Sequence, residues 1–164
     1  MDCSYSFGNL SCGGGLMDGA FGYYEVNKAM TEADYPYTAS FHRICSYDDS
    51  KAVSGTMISS YYDVVEDPDQ LKAALNIAPV SVAIEADTTV FSSYVSGVIT
   101  SASCGTNLDH GVLAVGYGTL DGDEFFLVKN SWGASWGDEG YVRIGVASGA
   151  GICGINSSAS QPTL

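Results

Sequence analysis

Basic side chains are scarce in these 164 residues: six Lys and Arg stand against nineteen Asp and Glu, a formal charge of −13 and an isoelectric point near 4.1. So acidic a surface repels polyanions, which excludes nucleic acid and anionic membranes as partners. Attraction of basic substrates is a weaker reading, because salt screens such fields beyond about 10 Å. The acidity also suits solubility in an acidic vacuole, where carboxylates are partly protonated. No apolar run reaches the ~18 residues of a membrane span, so none is expected. Met1-Asp2 leads into polar, glycine-rich sequence with no basic head or apolar centre, so no signal peptide is read there. A signal is expected upstream. Prolines number only four against twenty glycines, and 46% of residues are hydrophobic, which describes a loop-rich globular chain and not a disordered one. That length buries one substantial core, or two half-size ones. Repeats and low-complexity linkers are absent, and no metal or cofactor is expected. Cysteine count is odd: five leave one without a partner, while the paired ones argue for an oxidising compartment.

The two halves of the chain are patterned differently. Leu16, Ala20, Phe21, Tyr24 and Lys28 fall near helical spacing, which predicts an amphipathic helix over 16–30, directly after Gly13-Gly14-Gly15. Glycines there suit close approach of an extended backbone; a flexible turn is the plainer alternative. Tyr35, Tyr37 and Phe41 read as core packing, and His42 as surface. In the second half Asp67-Pro68-Asp69-Gln70 opens a helix with Asp as N-cap and Pro in the first turn, turning Leu71, Ala74 and Leu75 inward. Residues 80–86, 112–117, 124–129 and 140–144 alternate or branch as strands, predicting an antiparallel, barrel-like sheet. The crossover falls near residues 59–63, giving domains over 1–61 and 62–164. Asn9-Leu10-Ser11 and Asn156-Ser157-Ser158 fit the glycan acceptor pattern, with Asn9 favoured.

Two strings carry the chemistry: Leu108-Asp109-His110-Gly111 and Lys129-Asn130-Ser131-Trp132-Gly133. Alone, His110 and Asn130 could be ordinary buried polar residues. Residues 112–118 after the histidine, 125–128 before the asparagine, and Trp136-Gly137-Asp138-Glu139-Gly140-Tyr141 after it complete a string that resembles the papain and cathepsin L family. The resemblance runs from Met1-Asp2-Cys3 through residues 11–18 to Gln161-Pro162. It implies an α+β, papain-like two-lobed fold: an incomplete helical left lobe, an antiparallel β-barrel-like right lobe and an active cleft between them. It also implies a cysteine endopeptidase in which a Cys-His pair makes the acylating thiolate and an asparagine orients the imidazole. His110 and Asn130 match the last two roles. The family nucleophile lies in a Cys-Gly-Ser-Cys-Trp type signature about 130–150 residues before the His and Asn. Subtraction places it some 20 residues before Met1. It is therefore expected upstream or on another chain, and the 164 residues alone are expected to be inactive.

The resemblance implies further residues. Cys3 should bridge to Cys45 and Cys104 to Cys153, leaving Cys12 unpaired here. Gly14 and Gly15 match positions that hold peptide substrate by the main chain. Leu16, Met17, Ala83, Leu108, Gly111 and Ser158 match the pocket for the second residue before the cleaved bond, with Asp109 beside them. This apolar lining should accept Leu, Phe or Val. Asp109 is no triad member, since adjacent strand side chains point to opposite faces. Trp132 resembles the indole that shields the His-Asn bond, while Trp136 is equally well plain core. No paired histidines mark a carboxypeptidase loop, so an endopeptidase is favoured. The expected partners are peptide or protein substrates, a propeptide or a cystatin-like inhibitor, and an upstream chain. The expected setting is lysosomal, vacuolar or extracellular. The alternative is a non-catalytic protease homologue, or a fragment with a binding role or none.

Overall fold

In the computed structural model, which describes residues 1–40, 42 and 44–164, the chain divides into two units: Met1–Tyr62 with Pro162–Leu164, and Asp63–Gln161. The architecture is α+β. Its strands are β1 (Ser60–Asp63), β2 (Val80–Ile84), β3 (His110–Leu120), β4 (Asp123–Lys129), β5 (Tyr141–Gly145) and β6 (Ala159–Thr163). They follow the order β1-β6-β2-β3-β4-β5, an open sheet and not a closed barrel.

The second unit follows from period-two burial. Val80, Val82 and Ile84 of β2 are fully buried, as are Ala114 of β3, Phe126 and Val128 of β4, and Val142 and Ile144 of β5. Antiparallel register sets Val82 against Val112, Ala114 against Val128, and Phe126 against Ile144, so one apolar layer crosses four strands. The Asp121-Gly122 turn joins β3 to β4, with φ of 53° and 97°. Positive φ at both residues is what a two-residue hairpin turn requires. Helix α2 (Pro68–Leu75) opens on Asp67, whose Oδ1 accepts from the Asp69 and Gln70 N–H groups at 2.9 and 3.1 Å. Its Leu71 and Ala74 join the core. Gln161 is 1% exposed, and its Nε2 donates to the Ala74, Ala78 and Pro79 carbonyls around the end of α2. The Cys104–Cys153 disulfide is buried in the same core.

The first unit is held by other means. Its one α-helix, α1, spans Met17–Tyr24 and buries no residue, shorter than the helix expected over 16–30. Leu16 lies outside it, in extended conformation and 70% exposed. At the far end the main-chain N–H and the Nδ2 of Asn27 both donate to Tyr23 O, satisfying a terminal carbonyl. Gly19 and Gly22 further weaken the helix. Aromatic edges supply the packing: Phe7, Tyr24 and Tyr47 all meet the Tyr23 ring at steep angles. Burial, then the neighbouring phenols, push the Tyr23 hydroxyl up to about 12. The Cys3–Cys45 disulfide closes this unit.

Beside that disulfide the Asp2 carboxylate accepts from the Tyr35 hydroxyl at 3.3 Å and the His42 N–H at 3.2 Å. Core packing by Tyr35 and Tyr37 is corrected: Tyr35 is half-buried through this polar contact and Tyr37 is 70% exposed. Phe41 lies outside the described residues. Among those described, no helix is long and apolar enough to cross a membrane.

Candidate active site

Strand pairing places His110. At the start of β3 it sits opposite Ile84, and the preceding Asp109 N–H donates to Ile84 O at 3.0 Å. Asn130 directly follows β4, its own N–H held by Gly140 O at 3.0 Å. The two side chains meet through His110 Nε2 and Asn130 Oδ1 at 2.8 Å. The same Oδ1 accepts from the Ser131 N–H at 2.8 Å. An amide nitrogen turned to that point would face a donor, so the oxygen is fixed there. His110 Nε2 must then carry a hydrogen and donate, which leaves Nδ1 as the nitrogen that takes up and releases protons. Asn130 is 8% exposed, so little water competes for its oxygen.

Trp132 stacks on the imidazole, ring centres 5.3 Å apart and planes 25° from parallel. Phe91 and Trp136 hold the indole by their edges at 5.5 and 5.2 Å. Phe91 is fully buried on the short helix α3 (Thr89–Ser92), and Trp136 Nε1 donates to Ser92 O at 3.1 Å. Trp136 is therefore a hydrogen-bonded brace as well as packing. Sequence reasoning missed Phe91 and α3, since a four-residue helix shows no period.

Asp109 turns to the loop after β2: its Oδ1 accepts from the Ala86 N–H at 2.8 Å and its Oδ2 from the Asp87 N–H at 3.3 Å. It braces the end of β2 against the start of β3. Its charge, followed by burial, pushes the Asp87 carboxyl above the usual carboxylate value. Ala83 and Gly111 are direct partners across β2 and β3, and the Ala83 N–H donates to Ser158 O at 2.8 Å, so three of the expected pocket residues come together. Leu108 is half-buried against Gly154. In the first unit Gly14, Gly15 and Leu16 are exposed and Met17 half-buried. Gly14 has φ of 101°, open to glycine alone. Its N–H and C=O are both engaged, with Ser11 O and Leu10 N. Four cysteines are in disulfides, and Cys12 is free and exposed. Asn156 is 2% exposed with Nδ2 donating to the Ala147 and Gly149 carbonyls, which leaves its amide no room for a glycan.

Comparison with known proteins matches the papain family cysteine proteases over residues 1–163. The chain belongs to that family. It is 47% identical over 168 residues to the germination-specific cysteine protease 1 of Arabidopsis thaliana, covering 99% of this chain and 43% of that protein. Against the cathepsin L-like peptidase of Aedes aegypti it is 45% identical over 169 residues, covering 100% and 49%. The chain thus spans less than half the length of either. Among solved structures, the digestive procathepsin L 3 of the Tenebrio molitor larval midgut superposes with a TM-score of 0.89 at 42% identity, covering 99% of this chain and 53% of that one. The α+β fold is papain-like.

Proposed function

We propose that the protein is a papain-type cysteine endopeptidase to which this chain contributes the acid–base residues. The observation that carries the reading is the 2.8 Å bond from His110 Nε2 to Asn130 Oδ1, with that oxygen pinned by the Ser131 N–H. The nucleophilic cysteine lies outside these 164 residues, upstream of Met1 or on another chain. Disulfides engage four cysteines here, and the fifth, Cys12, is exposed and followed by three glycines.

The thiolate of that cysteine attacks the peptide carbonyl carbon, and a proton from His110 Nδ1 passes to the departing amine nitrogen as the C–N bond breaks. Water then gives a proton back to Nδ1 while its oxygen attacks the thioester, and the acid product leaves with the thiolate restored. Asn130 keeps the ring oriented through both steps, and Trp132 screens the Nε2 bond from water. Gly15 holds the peptide main chain, and Gly14, its own N–H and C=O bonded to Ser11 O and Leu10 N, shapes the loop before it. In the second unit Ala83, Leu108, Gly111 and Ser158 take an apolar side chain at the second residue before the cleaved bond, with Asp109 as brace. A propeptide and cystatin-like inhibitors are the further partners, and a lysosome, vacuole or extracellular fluid the setting. Kinship with a procathepsin and with digestive enzymes supports both.

The test measures cleavage of fluorogenic peptides carrying Leu, Phe or Arg at that second residue, by the 164-residue chain alone and by the protein with its upstream segment. Turnover of the Leu and Phe peptides only when that segment is present, abolished by thiol alkylation, is expected. Turnover by the verified short chain would overturn the placement of the nucleophile. A complete protein with Ser or Gly at the nucleophile position and no turnover would make it a binding homologue.

A further inference from the structure

The loop over residues 4–16 is tied at its neck by one side chain. Asn9 Nδ2 donates to Ser4 Oγ at 3.1 Å, and Asn9 Oδ1 accepts from the Leu16 N–H at 2.8 Å. Ser4 is itself buried, and its carbonyl accepts from the Phe7 and Asn9 N–H groups. Within the loop Leu10 N–H donates to Gly14 O at 2.8 Å and Gly13 N–H to Leu10 O at 2.9 Å. The Asn9 amide lies so close behind the glycines that a Cβ on Gly15 would overlap its Oδ1, and one on Gly19 would come within 2.9 Å of its Nδ2. Gly14, by contrast, has open space where a side chain would go. Asn9 therefore backs Gly15 and fixes where that strip ends, at the Leu16 N–H. Among the described residues no hydrogen bond engages the Gly15 N–H or C=O, so this is the peptide unit the loop leaves for an incoming strand.

We propose that Asn9 is a positioning residue that sets the Gly15 main chain for an extended peptide, and that it carries no glycan despite its Asn-Leu-Ser pattern. The proposal rests on the peptide-binding role assigned above to that glycine. A glycan would attach at Nδ2, the nitrogen that donates to Ser4 and packs on Gly19. The oxygen is the half that matters for the strip, and an aspartate would supply it equally well.

Three variants of the protein with its upstream segment, produced in a secretory host, decide the matter: Asn9→Ala, Asn9→Asp and Ser11→Ala. Asn9→Ala should raise KM for an extended peptide about five- to tenfold, the worth of one lost hydrogen bond, with kcat unchanged. Asn9→Asp should stay within about twofold of wild type, because Leu16 keeps its acceptor. Ser11→Ala removes the acceptor pattern alone and should change neither kinetics nor mass after glycosidase treatment. Wild-type KM in Asn9→Ala, a glycan on Asn9 in active protein, or the same defect in Ser11→Ala would overturn the proposal. If the wild-type protein shows no turnover, the protease reading fails, and amide exchange at Leu16 decides for Asn9. Faster exchange in Asn9→Ala with wild-type exchange in Asn9→Asp supports the positioning role; equal exchange in all three overturns it.

Discussion

Asn130 works through a single oxygen, and its two donors define what substitution would do. Removing the carboxamide in Asn130→Ala leaves the His110 ring without its partner at 2.8 Å and frees both nitrogens to carry the proton. Steady-state kinetics of the active protein should show kcat falling about ten- to hundredfold with KM within about twofold, since the ring acts on the reacting atoms and not on substrate binding. Unchanged kcat would remove Asn130 from the mechanism. Asn130→Asp keeps both hydrogen bonds but sets a negative charge beside the ring, which favours the protonated imidazole. The basic limb of the pH–rate profile should then move up by about one unit or more. His110 was legible in one string, and Asn130 and Trp132 in a second, because each string is flanked by strand pattern. Their braces were not. Asp109 finds Ala86 and Asp87 only through the β2–β3 register, and Phe91 reaches Trp132 across some forty residues of chain, a relation that no local spacing encodes.

Local elements were readable in proportion to how much of their energy is local. The α2 start was explicit in Asp67-Pro68-Asp69-Gln70, because a cap is a contact between residues two and three apart. Asp67→Ala should lower stability by about 1 kcal/mol, measured by urea denaturation followed through tryptophan fluorescence, both tryptophans lying in the second unit. The central strands were visible through alternation, yet β3 and β4 run on to Leu120 and back from Asp123, beyond the apolar stretches. Asp121-Gly122, which was not read as a turn, is the local feature that marks that extension. Gly122→Ala places a Cβ at φ of 97° and should cost about 1 kcal/mol or more in the same assay, and no loss would mean that the turn rearranges freely. Strands β1 (Ser-Tyr-Tyr-Asp) and β6 (Ala-Ser-Gln-Pro-Thr) carry no apolar alternation to read. Helix α1 was read too long because its aromatic and alanine residues fit a helical period. The two interior glycines weighed against that period.

Stability is unevenly shared along the chain. Every residue of the hydrophobic core cluster lies between Val64 and Ala159, inside the second unit, whereas helix α1 of the first buries no residue. Apolar burial is the main favourable term in folding, so the first unit depends more heavily on its disulfide and its polar contacts. Those contacts involve carboxylates. Hydrogen bonds from Ser50 hold Asp48 below the usual 3.8, and bonds from Lys28 and Tyr47 do the same for Asp49. Burial works against Asp2, but His42 and Tyr35 bring it below that value as well. A depressed carboxylate pKa adds stability that is present above the unfolded value and lost as pH falls through the folded one. In the second unit Asp87 is raised, and its contribution has the opposite sign: present below 3.8, lost as pH rises through the folded value. Acid therefore weakens the first unit selectively. Hydrogen exchange read by mass spectrometry and corrected for intrinsic rates should show residues 1–62 losing protection as pH falls from about 5 to about 2, while residues 80–84, 112–114 and 126–128 keep theirs. Simultaneous loss in both sets would mean that the two units unfold as one, and that the core of the second sets the acid stability of the first.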